Sequence, residues 1–223
     1  MEPGVYILHE KLKRFPPAQT IYIVYRRLLE HGINTTYLWV MDKILRRVKG
    51  FSPPGVSEVA RDLYVGGQQK KHGLHSMRAL GITAVVNMRE ESDDAEHGVE
   101  LDHYLWLPVV DDAAPAFDEL DRGSAFINKH ISAGRGVYVH CASGVGRAPT
   151  MAVAYLVNQG TKAEDAWSIV SAGRPFIRPT PPQIQIIDAY AAYLAQHRKS
   201  SAYIDTGCGA MTSEHAELIA PVS

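Results

Sequence analysis

From residue 56 onward, short β-rich apolar runs alternate with longer stretches whose apolar residues recur at helical spacing. Strands fit Asp62 to Gly66, Ile82 to Asn87, His103 to Leu107 and Gly136 to His140. Helices fit 72–80, 116–132, 148–158, 162–171 and 181–197. Strands interleaved with helices predict an α/β fold, a central and mostly parallel sheet flanked by helices. Ahead of it, residues 21–29 and 37–48 mix large apolar groups with arginines and predict two amphipathic helices separated at Gly32. The turn-forming run Gly50-Phe51-Ser52-Pro53-Pro54-Gly55 closes that part. The expected division is a basic helical extension over 1–55, a main domain over 56–198 and a loosely held tail over 199–223.

Composition narrows the class. With 46% hydrophobic and 21% charged residues in 223, a packed core is expected. The net charge of -1 and the lack of zinc-finger spacing argue against nucleic acid as a partner. Two cysteines, Cys141 and Cys208, are too few for a disulfide framework and fit a reducing, cytoplasmic location. The start, Met1-Glu2-Pro3-Gly4, lacks the basic and apolar runs of a secretory signal. No apolar stretch reaches the roughly 18 residues that span a bilayer. Charge is uneven, however: residues 1–50 hold nine Lys/Arg against four Asp/Glu. Two readings of the extension follow, packing on the main domain or a peripheral contact with an anionic membrane surface through residues 1–50.

The chemistry is concentrated in Val139-His140-Cys141-Ala142-Ser143-Gly144-Val145-Gly146-Arg147-Ala148-Pro149-Thr150, set between a strand and a helix. Its core is Cys-x5-Arg. A glycine-containing loop of that size, from Ala142 through Ser143, Gly144 and Val145 to Gly146, can turn several N–H groups toward one anion. The next helix adds its positive N-terminal end. The same field favours thiolate over thiol, which makes Cys141 the candidate nucleophile. Arg147 can present a planar fork to two phosphoryl oxygens, which lysine cannot reproduce. The bland alternative, an inert buried thiol and an arginine on a surface helix, does not require the glycine pattern. The ten histidines form no HExxH or His-x-His cluster, so a metal hydrolase is not expected.

His140-Cys141-x-x-Gly144-x-x-Arg147 resembles the signature of the cysteine-dependent phosphatases, in particular the dual-specificity branch. Asp62-Leu63-Tyr64-Val65-Gly66-Gly67, Leu80 to Asn87, and Gly173-Arg174-Pro175-Phe176-Ile177-Arg178-Pro179 are similar to further segments of that family, so the likeness covers 56–198. The resemblance implies hydrolysis through a phosphocysteine intermediate, without metal or cofactor. It also implies a general acid on a loop upstream of the nucleophile. Leu107-Pro108-Val109-Val110-Asp111-Asp112-Ala113-Ala114-Pro115 stands there, with Asp111 the first choice and Asp112 the reserve. Their competing role, capping the next helix, suits Asp118 better. His140 is expected to support the loop rather than to react. Ser143 is read either as bonded within the loop or as facing solvent.

One departure stands out. Relatives usually carry Ser or Thr directly after the arginine, where the hydroxyl stabilises the departing thiolate; here that place is Ala148. Slow turnover is the expectation. None of the loop's variable positions is basic, which disfavours a highly phosphorylated inositol headgroup. A phosphoprotein is the first reading of the substrate. A lipid phosphomonoester, as for the mitochondrial phosphatidylglycerophosphate phosphatase, or a glucan or other small phosphate ester is the second. A catalytically idle phosphate-binding adaptor is the rival from another class.

Overall fold

The computed structural model describes residues 16–207. A long helix, α1 (Pro16–Lys49), leads into the domain and is interrupted at Gly32, whose φ of 77° and ψ of 173° are not helical. Then follow β1 (Glu58–Ala60), β2 (Leu63–Gly67), α2 (Leu74–Ala79), β3 (Ile82–Arg89), the single turn α3 (Asp94–His97) and β4 (His103–Val109). The chain continues through α4 (Phe117–Ser132), β5 (Gly136–Cys141), α5 (Arg147–Asn158), α6 (Ala163–Gly173) and α7 (Pro181–Gly207).

The five strands form one sheet in the order β1-β2-β5-β3-β4. All neighbours run parallel except β1, which is antiparallel to β2. The expected α/β architecture is therefore present. Its parallel strands read as near-continuous apolar runs because helices cover both faces. β5, the middle strand, is buried along its whole length.

Side-chain alternation sorts the core into two layers. Leu63 and Val65 of β2, Val86 and Met88 of β3, and Val137, Val139 and Cys141 of β5 join the layer that contains α5. Tyr64, Val85 and Tyr138 turn to the other face, against Phe51, Leu74 and Met77. α5 is buried continuously from Arg147 to Val157, enclosed by the sheet and by α4, α6 and α7. Cys141 thus ends the central strand and Arg147 begins the central helix, at the carboxyl edge of the parallel strands where open α/β sheets bind ligands.

The sequence elements are recovered within a few residues, with three differences. β1 and α3 were not anticipated, since three or four residues are too few to show a period. The last helix runs to Gly207, past the expected start of the tail at 199; residues 1–15 and 208–223 lie outside the described residues, as does Cys208. The second half of α1 packs against the domain, burying Thr36, Trp39 and Asp42 on one face. Tyr25, Leu28, Leu29, Ile33, Tyr37, Ile44 and Val48 of the same helix are exposed. No described helix is long and apolar enough to cross a membrane.

Candidate active site

The loop from Cys141 to Arg147 is built from the outside. Each carbonyl between the two residues is held by a donor beyond the loop. The Ala142 oxygen accepts from Arg46 Nη1 at 3.3 Å and from the Gln68 N–H at 3.4 Å. Those of Ser143 and Gly144 accept from Arg174 Nη2 at 3.2 Å and Nε at 2.6 Å. That of Val145 accepts the Arg178 N–H at 2.6 Å, and that of Gly146 accepts from the Thr150 N–H and hydroxyl at 3.1 and 3.0 Å. With the carbonyls turned outward, the peptide N–H groups are left for the inner side, where an anion would sit. Gly144 has a φ of 68°, and a Cβ there would collide with the Gly66 backbone, so only glycine fits this turn. Its N–H donates to Cys141 Sγ at 3.2 Å, a contact that supports negative charge on sulfur. The Ser143 backbone is thus tied to Arg174, outside the loop, through its carbonyl.

Arg147 is buried, 1% exposed, and its guanidinium is almost fully engaged. Nη1 and Nη2 donate to the two oxygens of Glu91 at 2.9 and 3.0 Å. Nη1 also reaches the carbonyls of Val109 at 2.7 Å and Met88 at 3.3 Å, at the ends of β4 and β3. Nη2 lies 2.9 Å from Asp111 Oδ1. Nε is buried and has no partner. Glu91 thus fixes the Nη1–Nη2 edge; on the Nε–Nη2 edge Nε is free and Nη2 faces Asp111, whose place a phosphoryl oxygen would take. Arg147 is held protonated: burial opposes its charge, but Glu91, Cys141 and Asp111 together raise its pKa. In turn, the hydrogen bond from Arg147, helped by Arg89 and opposed by burial, lowers the Glu91 carboxyl to about 2.

Asp111 and Asp112 separate clearly. Asp111 extends from the end of β4 beside Arg147, with a side chain 73% exposed at the mouth of the site. Asp112 sits in the left-handed region at φ 60°, and its carbonyl is held by the Thr180 hydroxyl at 2.8 Å. Gln183, fully buried, donates to the Ala113 carbonyl at 3.0 Å and accepts from the Thr180 N–H at 3.0 Å. The loop after β4 is therefore pinned to the start of α7. At the next helix, Glu119, not Asp118, takes the free N–H of Ala116 at 2.7 Å.

His140 is buried, with Nε2 2.8 Å from Asp94 Oδ2 and Nδ1 3.4 Å from the Cys141 carbonyl. It braces the base of the loop. Burial works to raise the Asp94 pKa, but hydrogen bonds from His140, Gln68 and Gln69 outweigh it and hold the carboxyl down. The structure thus brings Cys141, the 142–146 loop, Arg147, Asp111 and His140 together.

Sequence reasoning missed Glu91, Asp94, Gln183 and the contact of Asp42 with Arg174. Asp42 Oδ2 lies 3.2 Å from Arg174 Nη2, and both side chains are buried. A usable signal existed for the first two: acids directly following β3, a strand that neighbours the motif strand in a parallel sheet. Nothing local marked Asp42 or Gln183. Among the described residues no group of His, Cys, Asp and Glu is placed to hold a metal ion.

Comparison with known proteins gives a match to the family described as "Dual specificity phosphatase, catalytic domain" over residues 63–192. The chain belongs to the dual-specificity phosphatase family. Among curated relatives, it is 30% identical to dual specificity protein phosphatase 2 of Mus musculus over 135 residues, 60% of this chain and 42% of that protein. It is 36% identical to dual specificity protein phosphatase 12 of Rattus norvegicus over 102 residues, 45% of this chain and 30% of that one. The chain spans less than half the length of these relatives. Among solved structures, PTPMT1 in complex with PI(5)P aligns with a TM-score of 0.57 at 22% identity, covering 63% of this chain and 96% of that one. Human DUSP28 aligns at 0.56 and 23%, covering 62% and 97%. At that identity the likeness is one of fold.

Proposed function

We propose that this member of the dual-specificity family is a cysteine-dependent phosphomonoester hydrolase, with 1–55 as an extension, 56–198 as the catalytic domain and the chain from 199 as a tail. The observation that carries the reading is the unpartnered, buried Nε of Arg147 beside a cysteine whose sulfur accepts a loop N–H. A phosphoryl group supplies what that donor lacks. Cys141 thiolate attacks phosphorus in line with the ester oxygen; the S–P bond forms as the P–O bond breaks. Asp111, protonated, gives its proton to the departing oxygen. Asp111 carboxylate then takes a proton from water attacking the phosphocysteine, and the S–P bond breaks to release inorganic phosphate and restore the thiolate. His140 and Glu91 position the loop and Arg147 without touching substrate.

For the substrate, a phosphotyrosine or other phosphoprotein is the first reading, supported by the relatives' names as protein phosphatases. A lipid phosphomonoester is the second, favoured by the exposed apolar residues and the arginines on α1. Turnover of an aryl phosphate by the parent protein, lost in Cys141→Ser while phosphate binding persists, tests the hydrolase reading. A parent protein that binds phosphate without turnover would make it an adaptor. Initial rates on phosphopeptides against phospholipid vesicles decide the carrier.

A further inference from the structure

We propose that the cleft where α1 meets the end of β2 is a second anion subsite, which holds a second phosphate carried by the same substrate whose phosphomonoester enters the Cys141 cradle. The inference rests on the reading of Cys141 and Arg147 as that cradle and adds a substrate class to it, a bisphosphorylated ester.

The cleft, about 200 Å³, is lined by Lys43, Arg46, Arg47, Gln68 and Lys70. Four of these are cations and none is an acid. Asp42, on the same helix, pairs with Arg46 but is shared with the buried Arg174, so one carboxylate answers two guanidinium groups and an excess of positive charge remains at the cleft. Like charges gathered over a concave surface repel one another, and an anion between them relieves the repulsion.

Position gives the cleft its meaning. Its Arg46 donates to the Ala142 carbonyl, and the Gln68 N–H meets that same oxygen. Gln68 follows Gly67, the residue paired with Cys141 between β2 and β5. One strand spacing, about 5 Å, therefore separates the cleft wall from the nucleophile's backbone. Ala142 is the partition: its carbonyl side faces Arg46, and the loop's N–H groups face the cradle. The Gln68 side chain is held still by Arg89 at 2.6 Å and Asp94 at 2.7 Å, so this wall is preformed.

The loop's own variable residues, Ala142, Ser143, Val145 and Gly146, carry no positive charge for an additional phosphate. The positive charge that such a substrate needs is supplied instead by α1 and Lys70. What the pair of sites selects is the spacing between two phosphates.

The test uses full-length Cys141→Ser protein, in which binding is read without turnover, and a series of straight-chain α,ω-alkanediol bisphosphates of increasing length, with the matching alkyl monophosphates. Calorimetry should show bisphosphates binding more tightly than monophosphates, with an optimum at one chain length. Adding Arg47→Glu and Lys70→Glu, neither of which holds the catalytic loop, should lower bisphosphate affinity roughly tenfold or more, remove the optimum, and steepen neither ligand's salt dependence. Equal losses for mono- and bisphosphates, or no length dependence in the parent, overturn the proposal. Vesicles of an anionic phospholipid identify the other source of phosphate: if the charge reversals weaken vesicle binding but leave the bisphosphate optimum intact, the cleft serves a membrane surface and the proposal fails. Absence of aryl phosphate turnover in the parent protein would count against the hydrolase reading alone, since the binding series stands without it.

Discussion

Arg147 meets Glu91 edge to edge, with two N–H groups on two carboxylate oxygens at 2.9 and 3.0 Å, so the guanidinium cannot swing away from the cradle. The pairing has geometric value beyond its charge, because it holds the guanidinium in one orientation with Nε left unpartnered.

Glu91→Gln should therefore lower kcat/KM by about tenfold to a hundredfold, since misplacement of a clamp by an ångström costs on that scale. The pH dependence has a definite sign. The Glu91 carboxyl falls from 4.5 to about 2 on folding, so its contribution to stability is complete above 4.5 and disappears as the pH drops through about 2. Denaturant titrations of parent and Glu91→Gln proteins should differ by a constant amount at pH 6 to 7 and converge toward pH 2, as roughly described by linkage. A gap that widens on acidification would contradict the pairing.

Arg147→Lys should lose binding and rate together. A single ammonium cannot serve Glu91, two strand-end carbonyls and a phosphoryl group at once. Parent-like kinetics with lysine would remove the clamp. Vanadate, which resembles the five-coordinate transition state, should inhibit the parent far more than this variant.

Asp111→Asn should show a loss that depends on the leaving group. With an alkyl phosphate or phosphoserine the cost should approach the roughly 100- to 10,000-fold typical of general acids, and with a good aryl leaving group it should shrink. Asp112→Asn should be mild on every substrate, because only its backbone is used and Asn tolerates the left-handed conformation. If the leaving-group dependence appears in Asp112→Asn instead, the roles are exchanged.

Asp42→Ala should destabilise the protein by about 3–5 kcal/mol, the cost of stranding a buried charge, here Arg174. Because Arg174 also holds the carbonyls of Ser143 and Gly144, phosphate binding should weaken in protein that remains folded. Binding at a temperature well below unfolding, compared with thermal denaturation, separates the two effects.

Ala148→Ser should raise kcat with a good aryl leaving group while leaving kcat/KM near the parent value. The added hydroxyl acts on breakdown of the phosphocysteine, after the first irreversible step. A change confined to kcat/KM would place the effect in formation of the intermediate.

The amino-acid sequence by itself determined the α/β class and the loop from Cys141 to Arg147, because both are written in contiguous residues. Short apolar runs at β2, β3 and β5 set the sheet, and a loop of five residues between Cys141 and Arg147 is a local structure whose glycines and flanking elements are adjacent in the chain. Asp111 over Asp112 was legible only as a preference; that Asp111 lies next to Arg147 depended on β4 being placed beside β3. Tertiary structure alone decided what holds the loop open. Glu91 is 56 residues from Arg147, Asp94 is 46 from His140, and Asp42 is 132 from Arg174. An acid in an acidic stretch, or a lone aspartate on a basic helix, carries no local mark of such a partner. The same holds for α1: only packing buries Thr36, Trp39 and Asp42 along one of its faces and brings Asp42 to Arg174. Periodicity specifies that a surface must be covered, and only packing, with buried charges obliged to find their counter-ions, specifies by what.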